Sequence, residues 1–227
     1  ASARRRGRPV GARHRSDGKR DDMATGPILH LIAGVNGAGK TSFYRYFLER
    51  MTPGAEFVNA DELARERWPG HEDEHVVEAA GLAAARRKEL LDARKTFVAE
   101  TVFSHESKLE LVKAAQRLGF RVFLYHVHVG SVALARARIA TRVHQGGHDV
   151  PGDRVEARYE RTLRLIPSAA SFADMTLVFD NSGTAGTTHR HLITMHGGRI
   201  VTLREPLPAW AEVAYRDALS PHRDEPS

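Results

Sequence analysis

Residues 34–41 read Gly34-Val35-Asn36-Gly37-Ala38-Gly39-Lys40-Thr41, the complete phosphate-binding pattern G-x-x-x-x-G-K-[ST]. Each position has a mechanical task. The glycines let the backbone curl so that successive N–H groups converge on a phosphate chain. Lys40 can reach the β- and γ-phosphates from a position expected to face solvent without nucleotide, and the Thr41 hydroxyl can ligate Mg²⁺. The flanks supply the context the pattern needs. Ile28–Ala33 is a short apolar run suited to a buried strand. From Lys40 no Gly or Pro intervenes for a dozen residues, and Phe43, Tyr46, Phe47 and Met51 recur at helical spacing. A strand, a Gly-rich loop and a helix N-terminus together make an anion site. Gly34, Asn36, Gly37, Ala38, Gly39, Lys40, Thr41 and Ser42 are the expected ATP contacts.

The 227 residues suit one α/β domain, expected over 23–220. Cysteine is absent, so thiolate chemistry and disulfides are excluded, which suits a reducing cytosol. No apolar run is long enough for a transmembrane helix, and a cytoplasmic location is expected. The net charge of +6 suggests nucleic acid until its distribution is read. Residues 1–22 hold eight basic against three acidic side chains, leaving the remainder nearly neutral. That segment has almost no bulky apolar residue, so a disordered basic tail ahead of a plausible start at Met23 is expected, with no nucleic-acid stripe on the body.

Further strands are expected at 55–60, 96–99, 120–129 and 175–179, and helices at 72–94, 105–118, 131–145, 153–165 (stopped by Pro167) and 208–219. A hairpin turning at Gly197-Gly198 is expected over 191–202. Strands alternating with helices imply a three-layer α/β fold, here built around a P-loop, with a mostly parallel sheet of five to six strands and a C-terminal hairpin. Polar residues gather at the strands' carboxyl ends, the edge where such sheets bind ligands. Asp61 follows a strand and could take the proton of an acceptor hydroxyl, or could cap the helix beginning at Glu62. Glu100 and Thr101 end another strand, where the carboxylate could accept substrate hydroxyls, join a Mg²⁺ shell or cap a helix.

Arg138 and Arg142 share one helix face, and Arg154, Arg158 and Arg161 share another, around a flexible Gly146–Pro151 turn. They read as a lid bringing guanidinium groups to the phosphates, or as a solvated face paired with Glu156 and Glu160. His126 and His128 lie on one strand face, and hydrogen bonding within the fold is the expectation, with no third ligand at metal spacing. Trp68 and Trp210 read as packing residues.

The ordered set resembles the zeta-toxin family of P-loop kinases. It comprises Gly34 to Thr41, Asn59-Ala60-Asp61-Glu62, Glu100-Thr101, Arg142-Val143 with Gly146-Gly147-His148-Asp149-Val150-Pro151, Arg158-Tyr159 and Asp180-Asn181-Ser182. The resemblance spans roughly residues 26–183, and the Gly-Gly-His segment is similar to a shorter branch of that family. It implies ATP and Mg²⁺ as cofactors, transfer to the 3′-hydroxyl of UDP-N-acetylglucosamine or a similar small molecule, and pairing with an antitoxin protein. By the same resemblance Asp61 is the general base, and Glu100 and Thr101 hold the sugar nucleotide. Arg138, Arg142 and Arg158 serve the phosphates. Rival classes are a kinase of another nucleotide, nucleoside or sugar, a nucleotide-gated ATPase module, and an RNA-binding factor that uses the basic tail.

Overall fold

The computed structural model describes residues 26–144, 151–183 and 189–224. The basic segment 1–22, Met23 and the Gly146–Val150 turn therefore lie outside the described residues. The chain runs β1 (Ile28–Ala33), α1 (Lys40–Phe43), a π-helical turn (Tyr44–Leu48) and α2 (Glu49–Met51). Then come β2 (Glu56–Val58), α3 (Ala60–Arg67), a 3₁₀ turn (Glu72–His75), α4 (Val76–Asp92), β3 (Phe97–Thr101) and α5 (Ser107–Arg117). The remainder is β4 (Arg121–His128), α6 (Val132–His144), α7 (Gly152–Ala170), β5 (Met175–Asp180), β6 (Arg190–His196), β7 (Arg199–Leu203), α8 (Ala209–Ala214) and α9 (Arg216–Asp224).

One sheet holds all of the described strands in the order β2-β3-β1-β4-β5-β6-β7. The first five are parallel, and the β6–β7 hairpin adds two antiparallel strands beyond β5. The central strands explain the near-continuous apolar runs. Leu29, Leu31, Ile32, Val122, Leu124 and Val127 are fully buried, because helices cover both faces of the parallel sheet. The two sides form separate cores. One gathers Leu29, Leu31, Phe97, Leu124, Leu165 and Ile166, and the other gathers Ile32, Phe43, Leu48, Val98, Val127 and Ile139. This is the architecture that the alternation of elements predicts.

Three local expectations need correction. The first helix does not bury the stripe Phe43, Tyr46, Phe47 and Met51. Tyr46 is 71% and Met51 73% exposed, while Phe43 and Leu48 are buried. The π turn adds a residue to the helical cycle, so side chains five apart fall on one face. Pro167 does not stop α7, which continues to Ala170. Leu165, Ile166, Ala169 and Ala170 are buried together, and that apolar face outweighs one missing N–H donor. The last helix is two, α8 and α9, divided at Tyr215. Among the described residues no helix is long and apolar enough to cross a membrane.

Candidate active site

The loop after β1 is shaped by contacts only glycine permits. A Cβ on Gly34 would collide with the carbonyl of Val127 on the neighbouring strand β4. Gly39, with φ +88°, stands where a side chain would strike the Asn181 amide, and its carbonyl opens the helix by accepting from Phe43 N at 2.9 Å. Asn181, just past β5, locks the loop from the far side. Its Nδ2 donates to Ala38 O at 2.8 Å, and His189 Nε2 donates to Gly39 O at 3.2 Å.

Lys40 does not face solvent as expected. It is 7% exposed, donates to Val35 O at 3.2 Å and lies 3.6 Å from Glu100 Oε1. Glu100 is the hub. Its Oε2 accepts from Thr41 Oγ1 and from Asn59 Nδ2, each at 2.8 Å. Burial pushes the Glu100 carboxyl above the usual carboxylate range, while Lys40 and the Thr41 hydroxyl pull it back. The three strand-end motifs of the sequence thus meet at one carboxylate. Neither Glu100 nor Asp61 caps a helix with its side chain, because Asn59 Oδ1 takes the N–H groups of Asp61 (2.7 Å) and Glu62 (3.4 Å) at the start of α3.

Capping by Asn59 leaves the Asp61 carboxylate turned to the cleft mouth, 41% exposed, with Arg142 Nη1 at 3.9 Å from Oδ2. Arg158 approaches from α7 and donates from Nη1 to Asn36 Oδ1 in the phosphate loop at 3.0 Å. Partial burial, with Arg154 and Arg161 close by, lowers its basicity, and Asp61 acts the other way. Arg138 donates to Gly183 O at 3.1 Å. Arg138, Arg142 and Arg158 all line one cleft of about 670 Å³ that also takes in Gly37, Gly39, Lys40, Thr41 and Ser42. Asn36, Asp61, Glu100 and Thr101 line it too, and Ala38 lies buried behind it. Arg154, Arg161 and Gly34 are not among the lining residues. Of the three arginines on that face of α7, Arg158 alone is among the residues lining the cleft. Arg136 pairs with Glu156 at 3.3 Å, as a solvated face would.

His126 donates or accepts through Nδ1 with the Tyr215 hydroxyl at 2.8 Å, an internal bond of the kind expected. His128 makes no hydrogen bond within the described residues and packs between Tyr159 and Trp210, with ring centroids 4.7 and 4.5 Å away. Burial holds its imidazole down at about 3. Trp210 is buried, and Trp68 stacks on His75 at 4.3 Å.

Sequence reasoning missed His189, Arg87 and Lys108 in the cleft lining. Nothing in the flanks of His189 marks it, since its contact with Gly39 spans 150 residues. Arg87 did leave a signal. It follows Ala79 and Ala83 at four-residue steps and precedes Leu90, so a cation stands on the inward stripe of α4.

A family model described as an AAA domain matches residues 29–165. The chain belongs to the AAA domain family. A relative of this AAA-domain chain, from Haemophilus influenzae and described as an uncharacterized protein, is 26% identical over 129 residues, 57% of this chain and 90% of the relative. The AvrRxo1-ORF1:-ORF2 complex with ATP superposes with a TM-score of 0.63 at 16% identity. That match covers 87% of this chain and 65% of the other, so the chain spans just under two thirds of that structure's length. The same complex with sulphate ions gives a TM-score of 0.62 at 15% identity, again with 87% and 65% coverage. These likenesses show a shared P-loop kinase-like fold.

Proposed function

We propose that the protein is a Mg²⁺- and ATP-dependent phosphotransferase of the zeta-toxin type, acting on a hydroxyl of a small molecule, with UDP-N-acetylglucosamine the leading acceptor. One observation carries the reading. The Asp61 carboxylate stands at the mouth of the cleft that Lys40 and Thr41 also line, within 3.9 Å of Arg142. A carboxylate at that place can take the proton of an acceptor hydroxyl as its oxygen attacks the γ-phosphorus.

In this reading the ATP phosphates lie over the loop amides and Lys40. Asp61 accepts the acceptor's proton as its oxygen bonds to the γ-phosphorus and the bond to the β,γ-bridging oxygen breaks, leaving ADP. Arg142 and Arg158 stabilise charge on the transferring group, Arg138 supports the nucleotide and Thr101 faces the acceptor.

The donor set suits Mg²⁺. The Thr41 hydroxyl and the Glu100 carboxylate are hard oxygen groups 2.8 Å apart, and Mg²⁺ typically takes only one or two protein ligands beside phosphates and water. When bound, the ion would neutralise charge on the β- and γ-phosphates. Thr41 would hold it, with Glu100 orienting the hydroxyl, a placement nearer the metal than the sugar for Glu100. The resemblance also supports an antitoxin partner.

The test is mass-spectrometric detection of phosphate transfer from ATP to UDP-N-acetylglucosamine by the wild type and by Asp61→Asn. Transfer that falls roughly 10²–10⁴-fold in the variant, with ATP affinity kept, is the expected result. ATP bound and hydrolysed with no acceptor phosphorylated would favour an ATPase module instead.

A further inference from the structure

The wall of the cleft built by α4 and the start of α5 carries a charge that no described residue compensates. Arg87 is 7% exposed and lines the cleft beside Ala83, yet it makes no hydrogen bond or ion pair with any described residue. Burial is the one influence lowering the basicity of its guanidinium. Lys108, half-buried on α5, lines the same wall, and burial together with the Arg87 charge lowers its ammonium. Two cations near one another with no carboxylate of the described residues paired to Arg87 is a costly arrangement, and buried charges are ordinarily paired. Elsewhere on α4 the protein does pair its arginine. Arg86, one residue away, meets Glu56 at 2.7 Å and Glu89 at 2.6 Å. The lack at Arg87 is therefore local, and it opens into the site.

We propose that the phosphoryl acceptor carries an anionic oxygen group, a carboxylate or a phosphate, which seats between Arg87 and Lys108. This rests on the phosphotransferase reading and narrows it, because neutral sugars and free nucleosides leave the pair unmatched. The guanidinium gives a planar fork that accepts either anion in bidentate fashion, and the ammonium adds a point charge. Thr101 and Ser104 line the same wall and offer hydroxyls for the rest of the acceptor. The phosphate loop is a separate anion site, with its own lysine paired to Glu100.

The experiment saturates the protein with Mg²⁺ and the β,γ-imido analogue of ATP, then titrates malonate and inorganic pyrophosphate calorimetrically. Wild type is expected to take one equivalent of at least one of the two. Malonate alone points to a carboxylate acceptor, and pyrophosphate alone to a phosphorylated one. Arg87→Gln and Lys108→Gln are each expected to weaken that binding by about ten- to a hundredfold while nucleotide affinity is unchanged. If Arg87→Gln fails to fold, Lys108→Gln on the less buried side still carries the comparison. Binding of neither anion, or binding unaltered in the folded variants, overturns the proposal. Failure of the ATP analogue to bind wild type would instead undo the phosphotransferase reading, and the malonate titration would still report on Arg87.

Discussion

Lys40 shows how one residue can be essential for two separate reasons. Its charge is aimed at phosphates, and at the same time it neutralises a carboxylate that is itself only 9% exposed. Lys40→Ala should therefore abolish transfer and also lower stability, by up to about 3 kcal/mol, since a buried pair loses one member. Denaturant titration measures the second effect. Adding Glu100→Gln should restore most of the stability and none of the activity, and recovery of neither would mean that the lysine stem, not the charge, supports the loop. His128 gives a cleaner acid response. Its folded-state value lies at about 3 against an ordinary 6.5, so the stability it confers is complete above about pH 6.5 and drains away as the pH falls toward 3. His128→Phe, which keeps the ring between Tyr159 and Trp210, should flatten the fall in melting temperature between about pH 6.5 and 4 by the share of one proton. An unchanged slope would assign the acid sensitivity to other groups.

At the level of elements, the sequence displayed what depends on neighbours in the chain and hid what depends on the fold. The phosphate loop, the parallel β–α alternation and the Gly197-Gly198 hairpin were legible because each follows from local geometry and short-range pattern. The π turn was not, since Phe43, Tyr46, Phe47 and Met51 fit a regular helix equally well on paper. What decided the matter was burial of Phe43 against Tyr125 and Phe179, with centroids 5.6 and 4.7 Å away, together with Leu48. Leu48→Ala should accordingly cost about 2–5 kcal/mol in chemical denaturation, and Met51→Ala less than about 0.5. Equal losses would restore the regular helix. The continuation of α7 past Pro167 was hidden for a related reason, because the packing of Ile166 and Ala170 into the core that also holds Val112, Ala115 and Leu124 cannot be seen from the proline. The site divides in the same way. Asp61, Glu100, Arg142 and Arg158 stood at readable strand ends or helix faces. His189 reaches Gly39 from the residue just before β6, and no spacing in the chain announces that contact.

For the whole molecule, the cleft is where α1, α3, β3, α6 and α7 each contribute a side chain, so a bound nucleotide should tie the layers together. Saturating Mg²⁺-ATP analogue at about a hundred times its dissociation constant should raise unfolding free energy by about 2.7 kcal/mol, read as a higher melting temperature. Arg158→Ala should shrink that gain at fixed ligand concentration, because it removes the link between α7 and Asn36. No change in the gain would leave α7 a bystander. The clasp of Asn181 and His189 on the phosphate loop carries a last consequence. The family match stops at residue 165, yet the loop is held from beyond it, by two residues that follow the strand completing the parallel sheet. The unit of homology is thus smaller than the unit of work. A polypeptide ended at the family boundary would keep every residue of the phosphate pattern and lose the hand that holds it, and a separately supplied 166–224 peptide is what should give nucleotide binding back.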